Sequence, residues 1–370
     1  MNELALAIPW LGKRNPAAAR WVVLALALGA PLIAMLFGKT WVRILDFALL
    51  YVMLAIGLNL VVGFAGLLDL GYIAFYAVGA YTFAFLASPH FELHLPFWLV
   101  LPLGAVFAAL AGIILGLPTL RLRGDYLAIV TLGFGEIVRI FLNNLNHPIN
   151  ITNGPQGINM IDPLELFGWD ISRPLKIGDD ITINSLFLYY YVFLAFVVLS
   201  IILVQRLQIS RVGRAWAAIR DDELAAKAIG INTRNMKLLA FSLGATFGGV
   251  AGGLFAAFQG FVSPESFSLM ESIAVLTMVV FGGMGNLAGV VVGALALTAL
   301  PEILRHVAVP VQQAVFNQVI LDPEVLRMLL LSLAMIFIML LRPAGLIPAH
   351  SRYSRPELVV GKPAPAEAAK

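Results

Sequence analysis

The segment RLQISRVGRAWAAIRDDELAAKAIGINTRNMK, residues 206–237, decides how the rest of the chain is interpreted. It is the longest non-apolar run between two apolar ones, and it contains seven basic residues but only three acidic ones. Its middle, residues 215–229, is rich in alanine and other good helix formers. Gly213 and Gly230 bracket this middle as a predicted helix start and stop. We therefore expect one short charged helix, and residues 206–237 are called the charged segment below.

Composition places the apolar stretches on either side of the charged segment in a membrane. Hydrophobic residues make up 60% of the chain and charged residues only 12%, whereas soluble domains carry about 25% charged residues. Mean hydropathy is +0.91, and several runs reach the roughly 20 apolar residues needed to cross the hydrocarbon core. The chain has no cysteine, which excludes disulfides and thiolate metal sites. The net charge of +3 reflects basic loops, which set topology and do not imply nucleic acid.

The apolar runs predict an all-α polytopic membrane protein with about ten transmembrane helices. Basic residues precede the first span and follow the last, so the positive-inside rule puts both termini in the cytoplasm. The run 267–304 is too long for one span, and GGMGN at 282–286 interrupts it. Splitting it keeps the basic tail inside. The predicted spans are about 21–37, 44–62, 72–87, 97–117, 126–142, 186–205, 238–258, a short eighth before residue 282, 287–304 and 325–341.

Three parts follow from this topology. Residues 1–20 form a cytoplasmic N-terminal segment, which lacks the order of a secretory signal peptide. Residues 21–342 form the transmembrane domain, and residues 343–370 form a cytoplasmic tail that we predict to be disordered. Within the transmembrane domain, the polar residues 143–185 are expected to make an external loop, and the charged segment is expected to lie on the cytoplasmic side.

No catalytic signature is present in the sequence. P-loop, HExxH and GxSxG patterns are all missing, and the five histidines fall in loops or near span ends. We therefore predict a protein that is not an enzyme and has no catalytic residues, metal site or bound cofactor of its own. If ATP drives it, a separate chain must carry the ATPase.

Few ionisable residues fall within or near the spans, and each is by default a candidate functional residue because charge in hydrocarbon is costly. They are Asp46, Asp69, Asp125, Glu136, Arg139 and Glu271. We expect Asp46, Asp125 and Glu271 to be hydrated at the membrane interfaces. Glu136 and Arg139 are three residues apart, so they share a helix face and can pair with each other. Asp69 is expected to have a structural or pathway role.

Glycine-rich stretches interrupt or line several spans. GFAGLLDLG, residues 63–71, breaks an otherwise continuous apolar run and is called the broken segment below. Such irregular backbone is tolerated at membrane depth only where it is buried in protein or lines a wet cavity. A broken helix also offers free N–H and C=O groups to a substrate. GGMGN, residues 282–286, is a second break, whereas the glycines of residues 244–253 favour close helix packing.

Several motifs resemble a known family. GRAWAAIRDDELAAKAIGI is similar to the cytoplasmic coupling-helix segment of ABC importer permeases. RLRGDYLAIVTLGFGEIVRI, ITNGPQGI, QGFVSPESF, VVFGGMGN and LRPAGLIP together resemble LivM-type permeases of branched-chain amino acid ABC importers, over about residues 58–348. Urea permeases share much of this pattern, so a urea or amide ABC importer is an alternative. An ion-coupled secondary transporter is a further alternative, although intramembrane acids are sparse.

The resemblance implies partners and a location. A LivM-type permease forms a heterodimer with a LivH-type permease in the bacterial inner membrane, and no nucleic acid is involved. Two ABC ATPase subunits bind ATP and Mg²⁺, and a periplasmic binding protein delivers the amino acid. The ATPase pair would move the charged segment as a lever, and the sixth and seventh spans would transmit the motion.

The resemblance and the residue patterns together give two sets of candidate site residues. The expected ATPase-coupling residues are Gly213, Arg214, Arg220, Asp221, Asp222, Glu223, Ala226 and Gly230. The acidic members are expected to meet basic ATPase residues, and the arginines acidic ones. The expected substrate-pathway residues are Gly63, Gly66, Asp69, Thr131, Gly133, Gly135, Glu136, Gly282 and Gly283.

Overall fold

The computed structural model describes residues 16–120, 122, 124–166, 169–177, 181–316 and 345–348, and single positions between 325 and 341. These residues are mostly α-helical, as the sequence predicts. The helices are α1 (Pro16–Phe37), α2 (Lys39–Asn59), α3 (Ile73–Leu86), α4 (Phe97–Thr119), α5 (Asp125–Asn144), α6 (Ser185–Ile209), α7 (Arg211–Asp221), α8 (Glu223–Ala228), α9 (Thr233–Gln259), α10 (Leu269–Gly282) and α11 (Leu287–Phe316). A π-helical turn, Leu60–Phe64, extends α2.

Four helices of the described chain are long and apolar enough to cross a membrane. They are α2 with its π-helical extension, α4, α6 and α9. Shorter apolar helices are Leu24–Phe37 within α1, α3, α10 and Leu287–Ile303 within α11. The separation of α10 from α11 confirms that residues 267–304 hold two helices. The predicted tenth span lies largely outside the described residues, as do the N-terminal segment and the tail.

Helix α9 lies at the centre of the bundle, against α2, α3 and α4. Its small residues allow the approach: a Cβ added to Gly252 would collide with the backbone oxygen of Tyr76 on α3. A Cβ on Gly249 would lie 2.8 Å from the backbone oxygen of Gly104 on α4. Backbones this close gain dispersion contacts that lipid cannot replace. The glycines of residues 244–253 therefore pack helices together, as predicted.

The polar stretch between α5 and α6 contains short strands. β4 (Glu165–Leu166) pairs with β5 (Trp169–Asp170), and β6 (Leu175–Ile177) pairs with β7 (Ile181–Ile183), both antiparallel. β3 (Ile158–Asn159) pairs with β8 (Phe261–Val262), which follows α9. A further pair, β1 (Ala87–Ser88) with β2 (Leu93–His94), joins α3 to α4. Since α9 begins beside the charged segment and ends at β8, the β3–β8 pair and the charged segment lie at opposite ends of α9.

Candidate functional site

Between the end of α6 and the start of α9, which both lie within residues 206–237, the charged segment folds as two helices and not as the single helix predicted. Asp222 separates them, because its extended backbone (φ −156°) ends α7 and its side chain caps α8. Its Oδ1 accepts hydrogen bonds from the backbone N–H groups of Leu224 at 2.7 Å and Ala225 at 3.1 Å. An aspartate that caps one helix cannot continue another, since the cap needs a non-helical backbone. Gly230 ends α8 in a left-handed conformation (φ +89°), as predicted for the helix stop.

The start of α7 also differs from the prediction. Ser210 caps it by accepting a hydrogen bond from Gly213 N at 3.3 Å, so Gly213 lies inside the first turn. A Cβ on Gly213 would collide with the backbone oxygen of Leu207 at the end of α6. Gly213 is therefore needed for the sharp turn between α6 and α7, and its predicted role as a helix boundary was wrong.

Two buried side chains fix the charged segment to α9. Trp216 is 1% exposed, and its indole Nε1–H donates to the backbone oxygen of Met236 at 2.8 Å. Ala226 of α8 is equally buried. Both α7 and α8 therefore pack against α9.

Glu223 makes two ion pairs, one within α8 and one that joins α8 to α9. Its carboxylate oxygens lie 3.1 Å from Lys227 Nζ and 3.0 Å from Lys237 Nζ. Burial raises the pKa of Glu223, but hydrogen bonds from Lys237 and Lys227 outweigh this and hold the pKa below its usual value of 4.5. Both carboxylate oxygens of Glu223 therefore already pair with lysines of the same chain.

The outward surface of the charged segment mixes apolar and charged side chains. Leu224 is 64% exposed and Ile229 75% exposed on and just after α8, and Arg214 and Asp221 of α7 are exposed as well. Arg214 donates one hydrogen bond to Ile209 O at 3.0 Å. Exposed leucine and isoleucine at this density, rimmed by charge, are typical of a docking surface for another protein.

Arg220 points from α7 into the membrane domain. Its guanidinium donates a hydrogen bond to the backbone oxygen of Gly63, at the start of the broken segment. A Cβ on Gly66, which has φ +71°, would lie 3.0 Å from Arg220 Cγ. The side chain therefore lies directly on the break, and residues 157 positions apart in sequence are in contact.

The broken segment has non-helical backbone between the π-helical turn and α3, and side chains satisfy its polar groups. Leu70 N donates to Thr131 Oγ1 at 3.0 Å, and Ser272 Oγ donates to Leu70 O at 2.5 Å. Asp69 Oδ1 accepts from Gly71 N at 2.9 Å, whereas Asp69 Oδ2 is buried without a hydrogen-bond partner. The segment is thus held by α5 and α10 at once.

The structure brings together three of the expected pathway residues on α5 and the broken segment. A Cβ on Gly71 would collide with the backbone oxygen of Thr131, and a Cβ on Gly135 would lie 3.1 Å from Gly71 Cα. Asp69, Thr131 and Gly135 therefore line one contact between the break and α5.

The second break, residues 282–286, lies against the end of α2 and the start of the broken segment. Asn59, at the end of α2, is fully buried, and its Oδ1 accepts a hydrogen bond from Gly285 N at 2.8 Å. Gly283 has φ +119° and ends α10, and Gly282 packs against Gly289 of α11. Sequence reasoning missed Asn59 and Ser272, although a lone polar residue inside an apolar run is the signal that finds them.

Glu136 and Arg139 pair as expected, and a third charge joins them. Arg139 Nη2 lies 2.6 Å from Glu136 Oε1, and Arg139 Nη1 lies 3.1 Å from Glu265 Oε2. Glu136 lies away from Thr131, beside the open position of Gly133, where an added Cβ would meet no atom within 4 Å. The same side of α5 exposes large apolar residues, namely Tyr126, Ile129, Ile137 and Phe141.

The expectation that three acids are hydrated at the membrane interfaces was wrong for Asp46. Its side chain is fully buried and neither oxygen has a hydrogen-bond partner, because α6 packs over this part of α2. Asp125 is exposed. Glu271 is partly buried, and its Oε2 accepts a hydrogen bond from Tyr51 Oη at 2.8 Å.

Comparisons with known proteins cover most of the chain. The sequence model of the family described as "Branched-chain amino acid transport system / permease component" matches residues 40–340. The permease protein LivM of the high-affinity branched-chain amino acid transport system of Escherichia coli is 45% identical over 328 residues, which are 86% of this chain and 71% of that protein. The LivM protein of Salmonella typhimurium gives the same identity and coverage.

A second kind of permease is more distantly similar. The LivH permease protein of Salmonella typhimurium is 27% identical over 253 residues, which are 67% of this chain and 79% of that protein. No solved structure was found to match the chain.

Proposed function

Because the chain belongs to the family of permease components of branched-chain amino acid transport systems, we propose that it is the LivM-type subunit of an ATP-driven importer in a bacterial inner membrane. The observation that carries the proposal is the charged segment, which offers an exposed surface on one side and contacts the broken segment on the other. A permease driven by a separate motor needs both features. The chain itself is not an enzyme, and ATP and Mg²⁺ bind to its partner subunits.

The substrates are branched-chain amino acids delivered by a periplasmic binding protein. This rests on the LivM permeases of branched-chain amino acid transport systems, which are 45% identical over most of the chain. A urea or amide importer is the alternative within the same class. An ion-coupled secondary transporter is less well supported, since acidic residues that could bind a coupling ion are sparse within the spans, and Glu136 is held by Arg139.

The partner subunit within the membrane is a LivH-type permease. The LivH protein of Salmonella typhimurium is similar to 67% of this chain, which favours a pseudo-symmetric pair of related subunits. The exposed side of α5 is the proposed contact. It presents large apolar residues beside the paired charges of Glu136 and Arg139, and charged groups at membrane depth face protein or a wet cavity, not lipid.

The substrate pathway follows this side of α5 and the broken segment. Gly133 leaves open space on the helix surface, and Glu136 lies on the flank of the same side. Across α5 from Gly133, at the buried contact with the broken segment, Asp69 Oδ2 has no hydrogen-bond partner among the described residues and is the candidate polar atom of the pathway. A branched-chain amino acid needs an apolar wall for its side chain and polar groups for its charged ends, and this region combines the two.

Coupling runs through α7 and α8 to the break. Two ABC ATPase subunits, one for each permease of the heterodimer, close on ATP and move the permeases. One ATPase subunit binds the exposed surface around Leu224 and Ile229, with Arg214 and Asp221 at the rim of that surface. Trp216 and Glu223 keep the charged segment attached to α9, and Arg220 passes the motion to Gly63 and Gly66. Of the predicted docking charges, Arg220, Asp222 and Glu223 thus act inside the chain.

The proposal is tested by reconstituting the chain with its LivH-type partner, the two ATPases and the binding protein in vesicles. We expect leucine uptake only with ATP and with all components present. Thr131→Ala and Glu136→Gln variants are then expected to alter uptake kinetics while the complex still assembles. Uptake by this chain alone along an ion gradient would contradict the proposal, and unchanged kinetics in both variants would remove the pathway assignment.

A further inference from the structure

A cavity of about 450 Å³ lies between the end of α4 and the charged segment. Leu117, Pro118 and Leu120 form its apolar side. Its polar side comes from α8 and the first turns of α9, namely Glu223, Lys227, Thr233, Arg234 and Lys237. The cavity is therefore apolar towards the bundle and charged towards the aqueous side.

The charges around the cavity do not cancel. Three basic side chains face one carboxylate, which leaves a net charge of +2 at neutral pH. Glu223 is shared between Lys227 and Lys237, and Arg234 makes no ion pair with any residue that the structure describes. The cavity thus holds more positive charge than the chain itself neutralises, which favours an anionic ligand.

An apolar strip on α4 leads directly to this cavity. Leu110, Ile113, Ile114 and Leu117 recur at helical spacing, and each is between 36% and 62% exposed. Helix α4 is one of the helices long and apolar enough to cross the membrane. The exposed strip is therefore a lipid-facing surface, and Leu117 belongs to both the strip and the cavity wall.

We propose that the cavity binds the phosphate headgroup of an anionic phospholipid whose acyl chains lie along the strip on α4. A basic pocket at the cytoplasmic end of a spanning helix is suited to such a headgroup. A zwitterionic lipid would leave the excess positive charge unmet, and a free phosphate would make no use of the strip. Since Glu223 and Lys227 belong to α8, the bound lipid braces the charged segment against α4.

The test uses the assembled complex in vesicles of phosphatidylcholine with or without an equal amount of phosphatidylglycerol. Native mass spectrometry then counts the lipids retained by the wild type and by a Lys227→Gln/Arg234→Gln double variant. We expect preferential retention of phosphatidylglycerol, weakened roughly 25-fold in the variant, or about fivefold for each basic residue removed. Arg206→Gln/Arg211→Gln is the matched control, because it removes two exposed charges outside the cavity.

A second measurement keeps the proposal testable if the double variant does not assemble. Photoactivatable phosphatidylglycerol is cross-linked to the wild-type complex, and the labelled peptides are identified. Labels within residues 110–120 and 227–237 support the proposal. Labels elsewhere, equal retention of both lipids, displacement of the lipid by inorganic phosphate alone, or exclusion of the lipid once the ATPases bind would each overturn it.

Discussion

Replacing Arg220 by alanine removes the side-chain hydrogen bond by which α7 contacts the broken segment. The lost interaction is a charge-assisted hydrogen bond to the backbone oxygen of Gly63, and such bonds contribute about 1.5–3 kcal/mol. Because much of Arg220 is exposed, solvent competes for the guanidinium and we expect the lower end of this range. About 1.4 kcal/mol corresponds to a tenfold change in a population. The arrangement in which α7 is engaged with the break should therefore become roughly tenfold rarer.

The assay measures ATP hydrolysis and leucine uptake in the same vesicles. Arg220→Ala should keep ATPase activity and lower the uptake per ATP roughly tenfold, because the motor still docks on the exposed surface around Leu224. Arg220→Lys should recover part of the loss, since it keeps a donor. Arg211→Ala is the control, because it removes the same charge from an exposed position on the same helix.

Two results would refute this reasoning. A wild-type ratio of uptake to ATP hydrolysis in Arg220→Ala would show that the contact with Gly63 does not transmit motion. Loss of the ATPases from the purified Arg220→Ala complex would show that Arg220 is a docking residue, as the sequence alone suggested.

Three further predictions concern stability. Asp222→Ala should destabilise α8 by about 1 kcal/mol, because two backbone N–H groups lose their cap; ATPase co-purification should weaken, and Asp222→Asn should restore it. The Glu223 ion pairs should stabilise the complex fully above pH 4.5 and less as pH falls through the lowered pKa of the folded protein; melting temperatures should show this loss in the wild type and not in Glu223→Gln. Gly252→Ala should lower the melting temperature, since its Cβ collides with the Tyr76 backbone and overpacking costs about 1–3 kcal/mol, whereas Gly133→Ala, with open space around it, should not.

The sequence predicts the helices well because apolar runs, basic flanks and glycine breaks are local signals. The GGMGN break correctly divides residues 267–304 into α10 and α11, and the glycines of 244–253 correctly indicate close packing. Gly230 is found as a helix stop because its position needs a left-handed backbone that other residues rarely adopt.

The structural features that the sequence does not reveal depend on distant contacts. Asp222 lies in a run of helix-compatible residues and is a good N-cap type, but its neighbours Asp221 and Glu223 do not show at which residue α7 ends and α8 begins. Asp46 lies close enough to the basic residues of α2 to look hydrated, and its burial depends on α6. The contact of Arg220 with Gly63 joins residues that no local pattern relates.

The most direct test of the account is uptake of labelled leucine by vesicles that contain the complete complex, with competition by unlabelled compounds. We predict that uptake requires ATP inside the vesicles and the binding protein outside. Isoleucine and valine should reduce the uptake of leucine, and urea should leave it unchanged. Competition by urea and not by isoleucine or valine would contradict the substrate assignment. Uptake that persists without the ATPases would contradict the central claim that this permease is driven through its charged segment.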